Sequence, residues 1–114
     1  MANTFKRATK SSLSTADVTT DSATNILTAT GANTLIIIGM VTANKTNLST
    51  TVDLYLKSAS GDATYLLKNA PVPAGSSLEY ISASKLVLNA GDIIRARANY
   101  GTALDLTVSY LEQS

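Results

Sequence analysis

The sequence predicts an all-β chain: a single-domain antiparallel β-sandwich, jelly-roll-like, with an extended N-terminal arm. Three observations carry that expectation. Hydrophobic residues make up 45% of the 114, yet aromatics only 5%, so the core must be built from Leu, Ile, Val and Ala. Ser and Thr dominate the polar positions, and Thr with the β-branched apolar residues favours pleated, half-buried surfaces. Short runs of alternating polarity recur between turn signals, with no sustained helical period and no fixed repeat. A chain of this length forms one domain and buries about two thirds of its unfolded surface.

Residues 1–22, "MANTFKRATKSSLSTADVTTDS", differ from the rest of the chain. They carry Lys6, Arg7 and Lys10 with no acid before Asp17 and lack apolar periodicity. They read either as a partly ordered leader or as a basic arm that docks on an acidic neighbour. Phe5, the only Phe, is the natural anchor of such an arm. The sandwich domain is expected over 23–114.

"TNILTA" (24–29) is the first strand, closed by a turn at 30–33. "TLIIIGMVTAN" (34–44) is apolar on both faces, as expected of a strand covered twice. Leu35, Ile37 and Val41 on one face, or Ile36, Ile38 and Met40 on the other, are candidates for a buried subunit contact. "TVDLYLKSA" (51–59) alternates, with Val52, Leu54 and Leu56 inward and Asp53, Tyr55 and Lys57 outward. Ser60-Gly61-Asp62 closes a hairpin onto "ATYLLKNA" (63–70). Two prolines in "PVPAGSS" (71–77) interrupt regular structure. "LEYI" (78–81) and "KLVL" (85–88) flank a Ser82-Ala83-Ser84 loop. In "DIIRARA" (92–98), Ile94, Ala96 and Ala98 share one face and Ile93, Arg95 and Arg97 the other. The closing strand, "ALDLTVSYLEQ" (103–113), turns Leu104, Leu106, Val108 and Tyr110 inward.

Chemistry is sparse. There is no cysteine and no histidine, which removes the thiolate nucleophile, the commonest general base and the commonest metal ligands. No Asp-X-Asp-X-Asp calcium loop, phosphate-cradling Gly-rich loop or Gly-X-Ser-X-Gly elbow occurs. The acids sit in turns or on outward strand positions, not as a pair facing one cleft. The reading is therefore non-enzymatic, with no cofactor and no metal. A formal charge of +1 gives no field for nucleic acid. Arg95 and Arg97 share a strand face, and Tyr55 and Tyr100 are candidate exposed aromatics, but two outward arginines are better suited to inter-subunit or cross-strand ion pairs with Asp53, Asp105 or Glu112. The longest apolar stretch, "LIIIGMV" (35–41), is too short to span a bilayer. The N-terminus lacks the apolar core of a signal peptide. No membrane partner is expected.

The chain resembles small virion structural proteins of tailed bacteriophages, notably marine and cyanobacterial ones. The resemblance runs from the Met-Ala-Asn-Thr-Phe-Lys leader through "VTANKTN" (41–47) and "TVDLYLKSASGDATYLLKNAPVPAGSSLEYI" (51–81). The Leu-X-Leu-X-X-Gly-Asp-X-Ile pattern (86–94) and Ser-Tyr-Leu-Glu (109–112) complete it. It implies a virion component assembled in the host cytoplasm, with the major capsid protein or other virion proteins as partners, and a homo-oligomer. A capsid decoration (cement) role is the first expectation. A neck, tail, baseplate or fibre component, including a receptor- or carbohydrate-binding module, is the alternative.

Overall fold

The computed structural model describes residues 3–20, 24–80, 86–101 and 103–113. Nine strands lie among them: β1 (Asn3–Lys10), β2 (Thr24–Thr28), β3 (Thr34–Asn44), β4 (Thr50–Lys57) and β5 (Ala63–Val72). The chain continues with β6 (Ser77–Tyr80), β7 (Leu86–Leu88), β8 (Ile93–Ala98) and β9 (Leu104–Gln113). Every pairing is antiparallel. Sheet A runs β1-β9-β3-β6, with β7 on the same edge of β3 further along, and sheet B runs β2-β8-β4-β5. The pairings are nested: β1 with β9, β2 with β8, β3 with β6 and β7, β4 with β5. Such nesting describes one long hairpin folded over and rolled into two layers, which is the jelly-roll order. The Ser82–Ser84 connection read as a loop lies outside the described residues.

The two inner faces meet in one apolar core. Val52 and Leu54 of β4, Ile94, Ala96 and Ala98 of β8, and Leu104, Leu106 and Val108 of β9 are fully buried in it. These are the inward positions of the alternating runs. Pro71, at the end of β5, is tolerated because β5 is the edge of sheet B and needs no donor on its free side.

Strand β3 departs from simple alternation. Its register against β9 shifts between Ile37 and Gly39, so one extra residue is inserted at Ile38. A bulge reverses the facing of everything after it. Leu35, Ile37 and Met40 therefore point into the core, while Ile38 and Val41 stand exposed. Neither of the two triads expected from the sequence exists as a face. Leu35 and Ile37, offered as contact residues, are spent on the chain's own core; only Val41 of that set is outward.

Residues 3–20, expected as a basic arm, are built into the sandwich. β1 pairs with β9 over eight positions, from Asn3↔Gln113 to Lys10↔Leu106. The chain then turns at Ser12, whose φ is 54°. Its N–H donates to Asp105 Oδ1 at 2.8 Å, which holds a residue in the left-handed region that lacks glycine's freedom. Leu13 drops into the core, its N–H donating to the Leu104 carbonyl at 2.8 Å. Beyond it the strand-less segment 14–20 straps across the outside of sheet B. The Ala98 N–H donates to Ser14 O at 3.0 Å, and Val18 is fully buried.

The "NAGD" turn is a structural joint. Asp92 is buried; its Oδ1 accepts the Ala59 N–H and its Oδ2 the Asn89 N–H, both at 3.0 Å. Gly91, at φ 90°, passes so close to the β4–β5 turn that a Cβ there would lie 2.7 Å from Ala59 Cβ. One carboxylate thus ties this turn to the β4–β5 turn.

Candidate interaction surface

The outer faces of the two sheets are unlike each other. On sheet B the outward side chains of β4 and β8 are covered. Tyr55 and Arg95 are buried at 8% and 5% exposure, although alternation puts both outward. For Arg95 the strap is the reason, and for Tyr55 the neighbouring strand β5. Arg95 Nη1 donates to Val18 O at 3.3 Å and its Nε to Asn25 Oδ1 at 2.9 Å; Arg97 Nε donates to Thr15 O at 3.2 Å. Tyr55 meets Tyr65 edge-on with centroids 5.1 Å apart, and Lys68 Nζ sits 4.7 Å from the Tyr65 ring centre. Tyr55 and Arg95, expected at a contact, are thus packed inside the protomer.

Asp53 lies at the centre of this layer, 2% exposed. A bulge in β5 leaves Lys68 and Asn69 opposite it, between the Val52↔Ala70 and Leu54↔Leu67 pairs. Its Oδ1 accepts the Asn69 N–H at 2.7 Å. Its Oδ2 is 3.6 Å from Arg97 Nη1 and 3.7 Å from Lys68 Nζ. These are ion-pair distances too long for hydrogen bonds, and Oδ2 accepts none among the described residues. The expected cross-strand pairing of Arg97 with Asp53 is present. Its role is to hold the strap to the sheet, since the same guanidinium reaches Thr15.

Among the described residues, nothing covers sheet A in this way. Phe5 on β1 pairs with Leu111 on β9, Leu111 with Ile36 on β3, and Ile36 with Val87 on β7. All four occupy outward positions, so a continuous apolar row crosses the whole sheet. Phe5 is 77% exposed and Val87 49%, with Ile36 and Leu111 half-buried between them. Ile38 and Val41 extend the patch along β3. Arg7 on β1 and Glu79, opposite Val41 on β6, stand exposed at the two edges of the face. Of this surface, Phe5, Arg7 and Val41 are among the contact residues offered by the sequence. Alternation groups Ile36 and Ile38 with the inward Met40, and it gives no reason to single out Val87 or Leu111. The one signal available is the Ile-Gly pair at 38–39, a bulge-prone step in an otherwise apolar strand.

The other basic residues of β1 have local roles. Lys6 Nζ bonds Glu112 Oε1 at 2.9 Å. That hydrogen bond and charge raise the Lys6 pKa above the ordinary lysine value. At the far end, Asp105 accepts from Lys45 Nζ at 2.9 Å and from the Ser12 N–H. The Lys45 bond first, then the Ser12 amide, hold its carboxyl below the usual range. Lys10 is exposed beside a depression of about 390 Å³ lined by Thr9, Ser11, Asp105, Leu106 and Thr107. The carboxylate in that depression, Asp105, is already engaged by Lys45 and the Ser12 amide. No group of three or more His, Cys, Asp or Glu that could hold a metal occurs among the described residues.

No protein family, curated protein or solved structure matches the chain. What the chain can do is therefore read from its surfaces.

Proposed function

We propose that this chain is a non-enzymatic structural protein of a tailed-bacteriophage particle, and within it a capsid decoration protein. The observation that supports an association role is the outer face of sheet A, an apolar row four strands wide on a protomer whose core is already closed. Exposed apolar patches of this kind mark interaction sites. The buried carboxylates, Asp53 and Asp92, are occupied in holding the strap and the turns. The particle itself is suggested by the resemblance of residues 1–6, 41–47, 51–81, 86–94 and 109–112 to phage virion proteins.

In this reading the protein acts by clamping. Each copy makes modest contacts with major capsid subunits, and symmetry-related copies stabilise the shell together through multivalency. Lys10 and its β1 neighbours meet the shell from a paired edge strand. Deleting residues 2–12 would accordingly strip sheet A of a strand and remove fold and attachment together.

Quantitative peptide mass spectrometry on purified virions, with heads and tails separated, tests the assignment. Copies on the order of hundreds in the head fraction, as shell symmetry demands, are expected. About a dozen copies tracking with tails or necks, the stoichiometry of a cyclic ring, would overturn decoration in favour of a neck, tail or fibre component. Absence from both fractions would overturn the virion reading.

A further inference from the structure

We infer that the outer face of sheet A is a homodimer interface, in which a second copy packs face to face about a two-fold axis parallel to the strands. This deepens the structural reading above by naming the occupant of the apolar face.

The pattern of the face is self-complementary. A two-fold axis lying between β9 and β3, in the plane of contact, exchanges left and right. It brings the β1 edge of one copy over the β6/β7 edge of the other, and β9 over β3. Phe5 then meets Val87 of the second copy, and Leu111 meets its Ile36. Each contact occurs twice, as an isologous interface requires. All four residues lie in one register row, so one alignment satisfies every pair together. The charges obey the same rule. Arg7 lies one row from Phe5, beside Ser109, and Glu79 lies one row further, beside Val41 and Thr107. They are on opposite edges of one protomer, but the axis puts each Arg7 over the Glu79 edge of the second copy. The offset along the strands is two residues, about 6.6 Å, within reach of an extended Arg and Glu across sheets about 10 Å apart.

The face is also large enough. Strands about 4.8 Å apart, of eight, ten and eleven residues with seven more in β6 and β7, project to roughly 600 Å², the lower end of the ~600–1,000 Å² per partner of a standard interface. Stacked twisted sheets accommodate one another at about −30°; the apolar row lies two residues from the Asn3/Gln113 end of the sheet, and Arg7 and Glu79 stand on its edge strands, where the polar rim of an interface falls.

The purified chain should sediment as a dimer in a concentration series by analytical ultracentrifugation. A monomer at about 100 μM, where even a micromolar interface is saturated, would overturn the inference and leave the particle reading to the copy-number measurement. Val87→Glu, at an exposed site, should give a monomer with an unchanged far-ultraviolet spectrum; a dimer would overturn the inference. Arg7→Glu and Glu79→Arg should each weaken dimerisation about tenfold, because each disrupts two symmetry-related pairs. The double variant should recover most of the loss, and failure to recover would refute the pairing. Because the chain has no cysteine, a short bismaleimide reports the axis directly. A mixture of Phe5→Cys and Val87→Cys chains should cross-link between copies, whereas Phe5→Cys alone should not. Efficient linkage of Phe5→Cys to itself would place the axis across the strands and overturn the arrangement.

Discussion

Truncating Leu13 to alanine decides whether the N-terminal region belongs to the fold. Leu13 is fully buried in the common core, and the backbone on either side is fixed: Ser12 to Asp105, Leu13 to Leu104, and Ser14 to Ala98. A chain pinned at three successive residues cannot collapse into the space that the side chain leaves. The loss then includes both the transfer of the removed carbons and the cavity, and Leu→Ala at such sites costs about 2–5 kcal/mol. We expect about 3 kcal/mol, within that range. For a domain of this length that lowers Tm by roughly 12 °C, at about 4 °C per kcal/mol. The assay is thermal and urea unfolding of Leu13→Ala beside Leu48→Ala. Leu48 is 59% exposed, and its truncation should stay within about 0.5 kcal/mol. The urea midpoint should fall with m unchanged. If Leu13→Ala shifts Tm no further than the Leu48 control, the segment after β1 is a detachable arm and the strap argument fails.

Two further outcomes rest on named contacts. Gly91→Ala combines a backbone at φ 90° with a 2.7 Å approach to Ala59 and should cost about 2–3 kcal/mol. Gly31→Ala, at φ 61° with open space around it, should cost only about 1 kcal/mol; equal losses in thermal unfolding would refute the close approach. The Asp105 carboxyl has its folded pKa below its unfolded value. Its contribution is therefore present above the unfolded pKa and disappears as pH falls through the folded one, from about pH 4 downward. The pair with Lys45 is well exposed, so the effect should stay below about 1 kcal/mol. A stability-versus-pH curve of Asp105→Asn should be flatter than the parent curve below about pH 4, and parallel curves would count against the assignment.

The sandwich is legible in the sequence because its inner faces obey period two. Val52, Leu54, Ile94, Ala96, Ala98, Leu104, Leu106 and Val108 stand where alternation puts them, and all are buried. What alternation cannot give is the environment of the opposite face. It places Asp53, Tyr55 and Arg95 away from the core correctly, but the layer over them comes from a strap 77 and 82 positions earlier in the chain than Arg95 and Arg97 and from β5 with its bulge. Neither leaves a local mark on β4 or β8. The β3 faces fail for a different reason. A single inserted residue at Ile38 reverses every later side chain, and in a strand apolar on both sides no polar residue betrays the shift. The arm expectation fails because β1 is polar almost throughout. As an edge strand over the margin of the core it contributes only Ala8 to the apolar cluster, so its sequence lacks the pattern that marks a strand.

The asymmetry between the two outer faces also bears on where association occurs. Sheet B could have offered Tyr55, Arg95 and Arg97 to a partner, but the segment from Leu13 to Thr20 closes that face with the chain's own backbone, and Asp53 is buried beneath it. Opening it would expose a carboxylate and two guanidinium groups whose present partners come from three separate segments. Sheet A could have been covered in the same way had the strap turned the other way at Ser12. Instead, the left-handed Ser12, held by Asp105, directs the chain to sheet B and leaves Phe5, Ile36, Leu111 and Val87 outward. A charged edge on β1 discourages edge-to-edge strand addition, so the face is left for stacking. The turn at Ser12 thus determines both which sheet the protein seals for itself and which it presents.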